Sequence, residues 1–458
     1  MSKAIAGRGL GLRRLGGNAG MTFAAQFGAA AIGFGLSIML SRSLGVDGLG
    51  VYRMALLLPT TMVQLLEFGI TYANVYHIGR GDVNGREVMR ANLWIWGIIT
   101  ALGLAVSSAI IVVKGAEWFP GIPTALMLLA MFSFPPALLQ FYCQSILQGY
   151  QDFRRYNYLT VIVQLTTFVL SAILIFGFKL GVAAVISAFL LGQVLSLAIT
   201  AVMLRPYLKK TTGAGAHVSW REYGRKAIGY GWKQHLSAII AFVNYRIDFF
   251  FVNLFLGPAL AGTYYISIQL GESMWMISKV VSTVLLPRLA ELHGEEQTRL
   301  QLTPLITRLV FSFTALAALV VGILAVPIVR LWGPQAAPAA AALIWLLPGI
   351  VMGAATRIVA YDFAARGKPE YNSYLAIVVV VINVAANVLL IPRVGIIGGA
   401  ISTTIAYTAN TIATVYLYRR FSDIASWKLF ILQHEDIALL REAAHSAGVR
   451  VSRRGKPA

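Results

Sequence analysis

The chain writes the same turn twice. Leu44, Gly45, Gly50 and Tyr52 return 212 positions later as Leu256, Gly257, Gly262 and Tyr264, each time where a long apolar helix begins. A unit repeated at that distance brings the same local preferences and the same apolar face to bury, so the chain is expected to fold as two related halves. The offset recurs. Pro136 and Pro348 are again 212 apart, each in the middle of the fourth apolar run of its half. A proline there removes a donor and bends the axis, so the two helices are expected to be kinked alike. Tyr156-Asn157 and Tyr371-Asn372 open the fifth run of each half, after loops that differ by three residues.

The apolar runs decide the solvent. Hydrophobic residues make up 58% of the chain and charged residues 12%, and the mean hydropathy is +0.72, which is far from the balance of a soluble domain. Twelve runs between residues 21 and 418 are long enough to span a bilayer as helices. The expected fold is therefore an all-α integral membrane protein of about twelve transmembrane helices in two pseudo-symmetric six-helix lobes. Six spans return the chain to its starting side, so the copies run parallel and their twofold axis lies along the membrane normal. The domains expected are a basic arm (1–17), an N-lobe (18–204), a basic linker (205–226), a C-lobe (227–420) and a tail (421–458).

Basic residues orient this plan. Outside the spans, all Lys and Arg except Arg42, Lys114, Lys179, Arg330 and Arg393 fall on the side of the N-terminus, which places both termini in the cytoplasm. The net charge of +20 sits mainly in the arm, the linker and the tail, beside an anionic leaflet, and calls for no nucleic acid. The first run is too long for a cleavable signal and is expected to be retained. Cys143 is the only cysteine and reads as an inert apolar residue within a span. The six histidines show no ligand spacing, so no metal or other cofactor is expected.

Polar residues inside the spans mark a path. At 100° per residue, Arg53, Thr60, Gln64, Glu67, Thr71 and Asn74 lie within about 80° of one another on a helix otherwise made of apolar residues. The offset of 212 carries this stripe onto Tyr265, Glu272, Met276, Lys279, Thr283 and Leu286. Ionised groups at bilayer depth cost at least about 2.5 to 3.5 kcal/mol, so both stripes are expected to face water or a partner's polar surface. The seventh helix places Lys233, Ser237, Asn244 and Asp248 on one face and Arg246 nearly opposite Asn244. Arg357 and Asp362 lie near the cytoplasmic end of the tenth. Each charge also has a structural reading: Glu67 and Lys279 as an interlobe pair, Lys233 and Arg53 as snorkelling side chains, and Asn383 with Asn387 as helix packing.

The segment LSRSLGVDGLGVYRMALLL, followed by LLEFGITYANVYHIGRGD, resembles the signature of the polysaccharide transporter, or oligosaccharide flippase, branch of the multidrug/oligosaccharidyl-lipid/polysaccharide exporter superfamily. LGPALAGTYY with STVLLPRLAEL is similar to that family's seventh and eighth helices. The resemblance covers residues 15–420. It implies two six-helix lobes facing across a cavity and movement of an undecaprenyl-pyrophosphate-linked oligosaccharide from the inner to the outer leaflet of a bacterial or archaeal cytoplasmic membrane.

A lipid-linked sugar carries a pyrophosphate and many hydroxyls, and the spans hold groups that suit both. Lys233, Arg246, Lys279 and Arg357 are expected to attract the pyrophosphate, with Arg53 nearer the outer end. Gln64 and Asn244 are expected to meet sugar hydroxyls. Glu67, Asp248 and Glu272 are the acids available to carry a proton, and coupling to protons, sodium ions or the membrane potential is open. The partners implied are the lipid-linked oligosaccharide, membrane lipids, and a polysaccharide polymerase or glycosyltransferases. A multidrug exporter would be expected to hold an acidic cation site in its first helix, and residues 21–40 contain no charge. A lipid II flippase usually has fourteen helices, and the chain after Tyr418 is too polar for two more. In that tail, Trp427, Leu429 and Phe430 suggest an interfacial helix, with a loose end as the alternative. A membrane glycosyltransferase would need an acidic cluster on a large outer loop, whereas the outer loops here are short, so no enzyme is expected.

Overall fold

A computed structural model describes residues 2–209, 218–276, 278, 296–366, 368, 370–420, 422, 425–434 and 436; at 2–19, 233, 234, 237, 296–298, 364 and 365 it describes the backbone alone. The described residues are helical, with no strand among them. In the first half are α1 (Ser2–Leu66), α2 (Ile70–Arg80), α3 (Gly85–Trp118), α4 (Thr124–Met131), α5 (Phe134–Gly149), α6 (Phe153–Ala172) and α7 (Val182–Lys209). The second half holds α8 (Trp220–Leu256), α9 (Pro258–Ser273), α10 (Glu296–Ile323), α11 (Ala325–Val329), α12 (Pro338–Ala365), α13 (Glu370–Val394) and α14 (Ile396–Arg419).

Nine helices among the described residues are long and apolar enough to cross a membrane. They do not map one to one onto the twelve expected runs. The first, Gly20–Leu66, contains two helices that meet at Gly45, and α2 and α9 are too short to qualify because the chain breaks beside them. Part of the eighth run falls on residues outside the described ones.

The repeated turn has one backbone conformation in both copies. Gly45 has φ 76 and ψ 171, and Gly257 has φ 82 and ψ 177. This region is open to glycine and strained for any side chain, which explains why the residue recurs. The two copies also meet each other. A Cβ on Gly50 would strike the carbonyl of Pro258, and a Cβ on Gly262 would strike the carbonyl of Val46. Val46 and Pro258 are themselves 212 apart, so each glycine admits the first turn of its counterpart, and the pseudo-twofold axis passes between them.

A second contact joins the halves nearer the N-terminal side. Backbone at Gly69 touches backbone at Gly231, leaving no room for a Cβ on either. Around it, the Tyr76 and Tyr230 rings stack at 4.5 Å, and Tyr223 donates to Asn74 Oδ1 at 2.6 Å. His235 Nε2 lies 3.0 Å from the Leu65 carbonyl, which the break between α1 and α2 frees from its helix. Phe68 (φ 52) and Gly69 (φ 69) form that break, and Tyr142 donates at 3.3 Å to the Glu67 carbonyl, which also accepts from the Ile70 N–H at 3.2 Å.

Within each half, helices pack through small residues and buried polar pairs, as lipid-embedded helices do when solvent offers no drive to associate. Gly103 faces the Phe134 ring and Gly192 faces Thr167. Gln140 donates to Thr200 at 2.9 Å, and Asn387 donates to Asn383, which in turn donates to Asn244. The asparagine pair is thus engaged in packing. Large apolar side chains such as Leu102, Val112 and Ile323 cover the outside.

The two proline helices differ. Pro348 sits inside the continuous helix α12, whereas the N-lobe run breaks at Phe132-Ser133 into α4 and α5, ahead of Pro135 and Pro136. The expectation of equal kinks is therefore corrected. Adjacent prolines withdraw two donors and begin a new helix, where their missing N–H groups cost nothing. Trp96 Nε1 donates to the Pro135 carbonyl at 2.8 Å.

Candidate functional site

Between the two interlobe contacts lies a cavity of about 640 Å³. Gly50, on α1, and Gly69, in the break that follows it, are 19 residues apart, about 28 Å at helical rise, so the cavity occupies the middle of the helical layer. Its N-lobe wall comes from α1, α5, α6 and α7, and its C-lobe wall from α8 and α9. Ala29, Ala30 and Gly33 leave the first wall shallow.

Three charged side chains line it among the described residues: Arg53, Arg246 and Glu272. The Arg53 guanidinium lies over the Tyr265 ring at 4.3 Å and over Tyr52 at 5.3 Å. Its buried Nε has no hydrogen-bond partner among the described residues. A cation held by ring faces and left short of acceptors is prepared for an anion. Arg246 stands 3.8 Å from Glu272, with both partners about one-third exposed. Such a loose, solvated pair is worth little, so an incoming oxyanion can replace Glu272 at small cost.

Amides supply the rest of the polar lining. Gln64, Gln164, Gln193 and Gln269 all reach the cavity, and the buried Gln269 Oε1 has no donor among the described residues. The hydroxyls are largely engaged elsewhere: Thr60 donates to the Leu56 and Leu57 carbonyls, and Ser273 to that of Leu270. Amides, two guanidinium groups and the rings of Phe34, Phe141, Phe249 and Tyr265 make a wall suited to a polyhydroxylated ligand that carries an anion.

Of the ten residues chosen from the sequence, the fold brings Arg53, Gln64, Arg246 and Glu272 together. The stripe on the second span holds only as far as the break at Phe68-Gly69. The buried Glu67, just before the break, already turns away from the cavity and accepts from Thr71, and beyond the break the buried Asn74 donates to Ser145 at 2.7 Å. On α8 the charged residue expected on the back of the helix is the one in the cavity. Arg246 faces it, while Asn244 and Asp248 turn into the C-lobe. Asp248 is buried there, accepting from Tyr264 at 2.9 Å, from Thr403 at 3.2 Å and from the Phe249 N–H at 2.7 Å. Arg357 donates to the Tyr245 hydroxyl at 2.8 Å and covers the Trp275 ring at 4.1 Å, away from this cavity. The Lys233 side chain and Lys279 lie outside the described residues.

Gln164, Gln193 and Gln269 escaped the sequence reading. Gln269 carried a signal, since it follows Tyr265 by four residues and precedes Glu272 by three, on the same helix face. Gln193 is the single amide of α7, and Gln164 shares α6 with Asn157, with nothing in sequence to distinguish either glutamine from a packing residue.

Residues 15–293 match the model of a family described as polysaccharide biosynthesis protein. Among curated proteins, a probable low-salt glycan biosynthesis flippase, Agl15, of Haloferax volcanii is 22% identical over 270 residues, which cover 57% of this chain and 55% of the relative. The chain thus matches about half the length of that relative. Among solved structures, the lipid II flippase MurJ in an inward closed conformation superposes with a TM-score of 0.68 at 14% identity, covering 87% of each chain. An inward-facing multidrug resistance MATE transporter superposes at 0.66 with 17% identity, covering 87% of this chain and 93% of that one. The MATE transporter VcmN of Vibrio cholerae gives 0.62 at 14% identity, covering 89% and 96%. At these identities the structures share the fold and nothing more specific.

Proposed function

The chain belongs to the polysaccharide biosynthesis protein family, and on that premise we propose that it is a flippase for an undecaprenyl-pyrophosphate-linked oligosaccharide, working by alternating access between two lobes. The observation that carries the reading is the interlobe cavity, where the underpartnered Arg53 and the loosely paired Arg246 face four glutamine amides. Guanidinium groups match phosphate oxygens in fork geometry, and the amides and ring faces suit sugar hydroxyls and sugar rings.

Two closed contacts flank this cavity, so transport requires them to open in turn. Opening at the Gly69–Gly231 end loads substrate from the cytoplasmic leaflet, and opening at the Gly50–Gly262 end releases it outside. The membrane potential, negative inside, favours export by about 2.3 kcal/mol per charge per 100 mV. Return of the empty carrier is proposed to draw on protons, sodium ions or the membrane potential, with Glu67, Asp248 and Glu272 as the acids available to carry a proton. The protein sits in the cytoplasmic membrane with both termini inside, beside the polymerase or glycosyltransferases that handle its cargo.

The test is a flip assay in proteoliposomes with a fluorescent undecaprenyl-pyrophosphate-linked oligosaccharide, comparing the parent with Arg53→Gln and Arg246→Gln. Transport by the parent and loss in both variants is the expected result. Transport of lipid II alone, or efflux of a cationic dye under an ion gradient, would move the protein to one of the other branches of the superfamily.

A further inference from the structure

A second cavity lies far from the interlobe site, at the N-terminal side of the N-lobe. It is a groove of about 420 Å³ lined by Arg86, Met89, Arg90, Arg205, Leu208 and Lys209. Four of its six lining residues are cations. The fold builds it where the start of α3 meets the end of α7. A Cβ on Gly85 would lie 2.9 Å from the Tyr207 carbonyl, so glycine lets the two helix ends touch. The Gly85 N–H donates to the Tyr150 hydroxyl at 3.0 Å, Tyr150 stacks on Tyr207 at 4.8 Å, and Tyr207 donates to Asp152 at 2.7 Å. This tyrosine stack fixes the arginines on one helix beside the basic residues on the other.

Helix stability does not account for this arrangement. Arg205 and Lys209 suit the C-terminal end of α7, where the helix dipole is negative. Arg86 and Arg90 occupy the first turns of α3, where it is positive and an acid would be favoured. Both pairs are spaced i, i+4, which sets like charges on adjacent turns. Among the described residues only Glu87 offsets them, 3.0 Å from Arg90. Arg86, Arg205 and Lys209 have no ion-pair partner among the described residues. Converging cations on a rigid support are stabilised when a polyvalent anion joins them. Met89 and Leu208 give the same groove an apolar side, which a free phosphate ion would not use.

We infer that this groove binds the phosphate headgroup of a lipid in the leaflet on the side of the N-terminus, with Arg86, Arg90, Arg205 and Lys209 on the phosphate oxygens and Met89 and Leu208 against the start of the acyl or prenyl chain. The inference requires that the chain spans a membrane and is independent of which cargo it moves. Such a site holds a phosphate-bearing lipid against the N-lobe, outside the transport cavity.

The full chain in detergent, titrated with short-chain phosphatidylglycerol and followed by native mass spectrometry, tests it, with short-chain phosphatidylcholine, undecaprenyl pyrophosphate and inorganic pyrophosphate as parallel probes. The two anionic lipids are expected to be retained in preference to phosphatidylcholine. The triple variant Arg86→Gln, Arg205→Gln, Lys209→Gln is expected to weaken them roughly tenfold or more, since each basic side chain contributes to anionic-lipid binding. Glu87→Gln, which frees Arg90, is expected to strengthen them. Equal retention of phosphatidylcholine, indifference to the triple variant, or binding of inorganic pyrophosphate as tight as that of the lipids would each overturn the proposal. The altered side chains are exposed, and an unchanged melting temperature in the triple variant shows that the fold persists.

Discussion

At the residue scale, the transport reading rests on how Arg53 is held. Its guanidinium has two rings for neighbours and a buried Nε without an acceptor among the described residues, so the fold positions a charge that a ligand's oxyanion would complete. Arg53→Gln is expected to lower flipping by roughly ten- to a hundredfold, the loss of a charge-assisted hydrogen bond, while leaving the melting temperature almost unchanged. Tyr265→Leu removes the ring beneath it and is expected to cost a smaller factor, roughly three- to tenfold. An Arg53→Gln protein that flips at the parent's rate would remove the anion role. Arg53, Arg246 and Glu272 were legible in the sequence because a charge within an apolar run has few places to go, and Gln64 because it shares a helix face with Arg53 and Thr60. Gln164 and Gln193 were not, because only the meeting of six helices gives them a common cavity.

At the scale of the element, helical periodicity was a good guide until the helix stopped being one. The 100° rule places Arg53, Thr60 and Gln64 together, then fails at Phe68-Gly69, where two residues with positive φ restart the axis. Nothing in an angular projection registers such a break, although Gly69 beside an acidic residue within the span is its trace. The tail shows a different limit. Its composition suggests an interfacial helix or a loose end, whereas the short helix Ser426–Leu429, with Phe430 and Asp436 beyond it, packs on α10. Leu429 is fully buried, Phe430 meets Phe311 at 5.1 Å, and Arg308 grips Asp436 through two hydrogen bonds of 2.7 Å. Pairing across more than a hundred residues leaves no local mark. Burial alone would raise the pKa of the Asp436 carboxyl, but the Arg308 hydrogen bonds and charge and the Gln433 N–H hold it below the ordinary range. A depressed carboxylate contributes stability that is complete above the unfolded value, about 3.9, and is lost as pH falls through the folded one. Protease cleavage after residue 420 is therefore expected to be slow at neutral pH and to accelerate below about pH 4. Asp436→Asn should be cleaved fast at neutral pH, and slow cleavage of that variant would show that Arg308 does not hold the tail.

At the scale of the whole molecule, two lobes joined at two places make the transport cycle a matter of which contact opens. The aromatic stack of Tyr76 on Tyr230 belongs to the contact nearer the N-terminal side. A double variant, Tyr76→Cys with Tyr230→Cys, cross-linked by a short bifunctional thiol reagent, is expected to stop flipping and to recover it on cleavage of the linker. Transport undiminished by the cross-link would show that this contact does not open during the cycle. The other contact is less forgiving. Gly262→Val forces a branched side chain into the Val46 carbonyl, and we expect it to separate the turns, destabilise the protein by about 1 to 3 kcal/mol and abolish transport. The two-lobe plan and the parallel repeat were visible in the sequence because the turn glycines recur, but that the repeated turns would be each other's partners was not. That reciprocity has a historical consequence. An interface in which each copy offers the same glycine and receives the same carbonyl is the interface of a symmetric homodimer. A half-length chain bearing one such turn would present both sides of that contact. Fusion of two such chains would have inherited a working contact, after which each half was free to diverge wherever the twofold no longer constrained it.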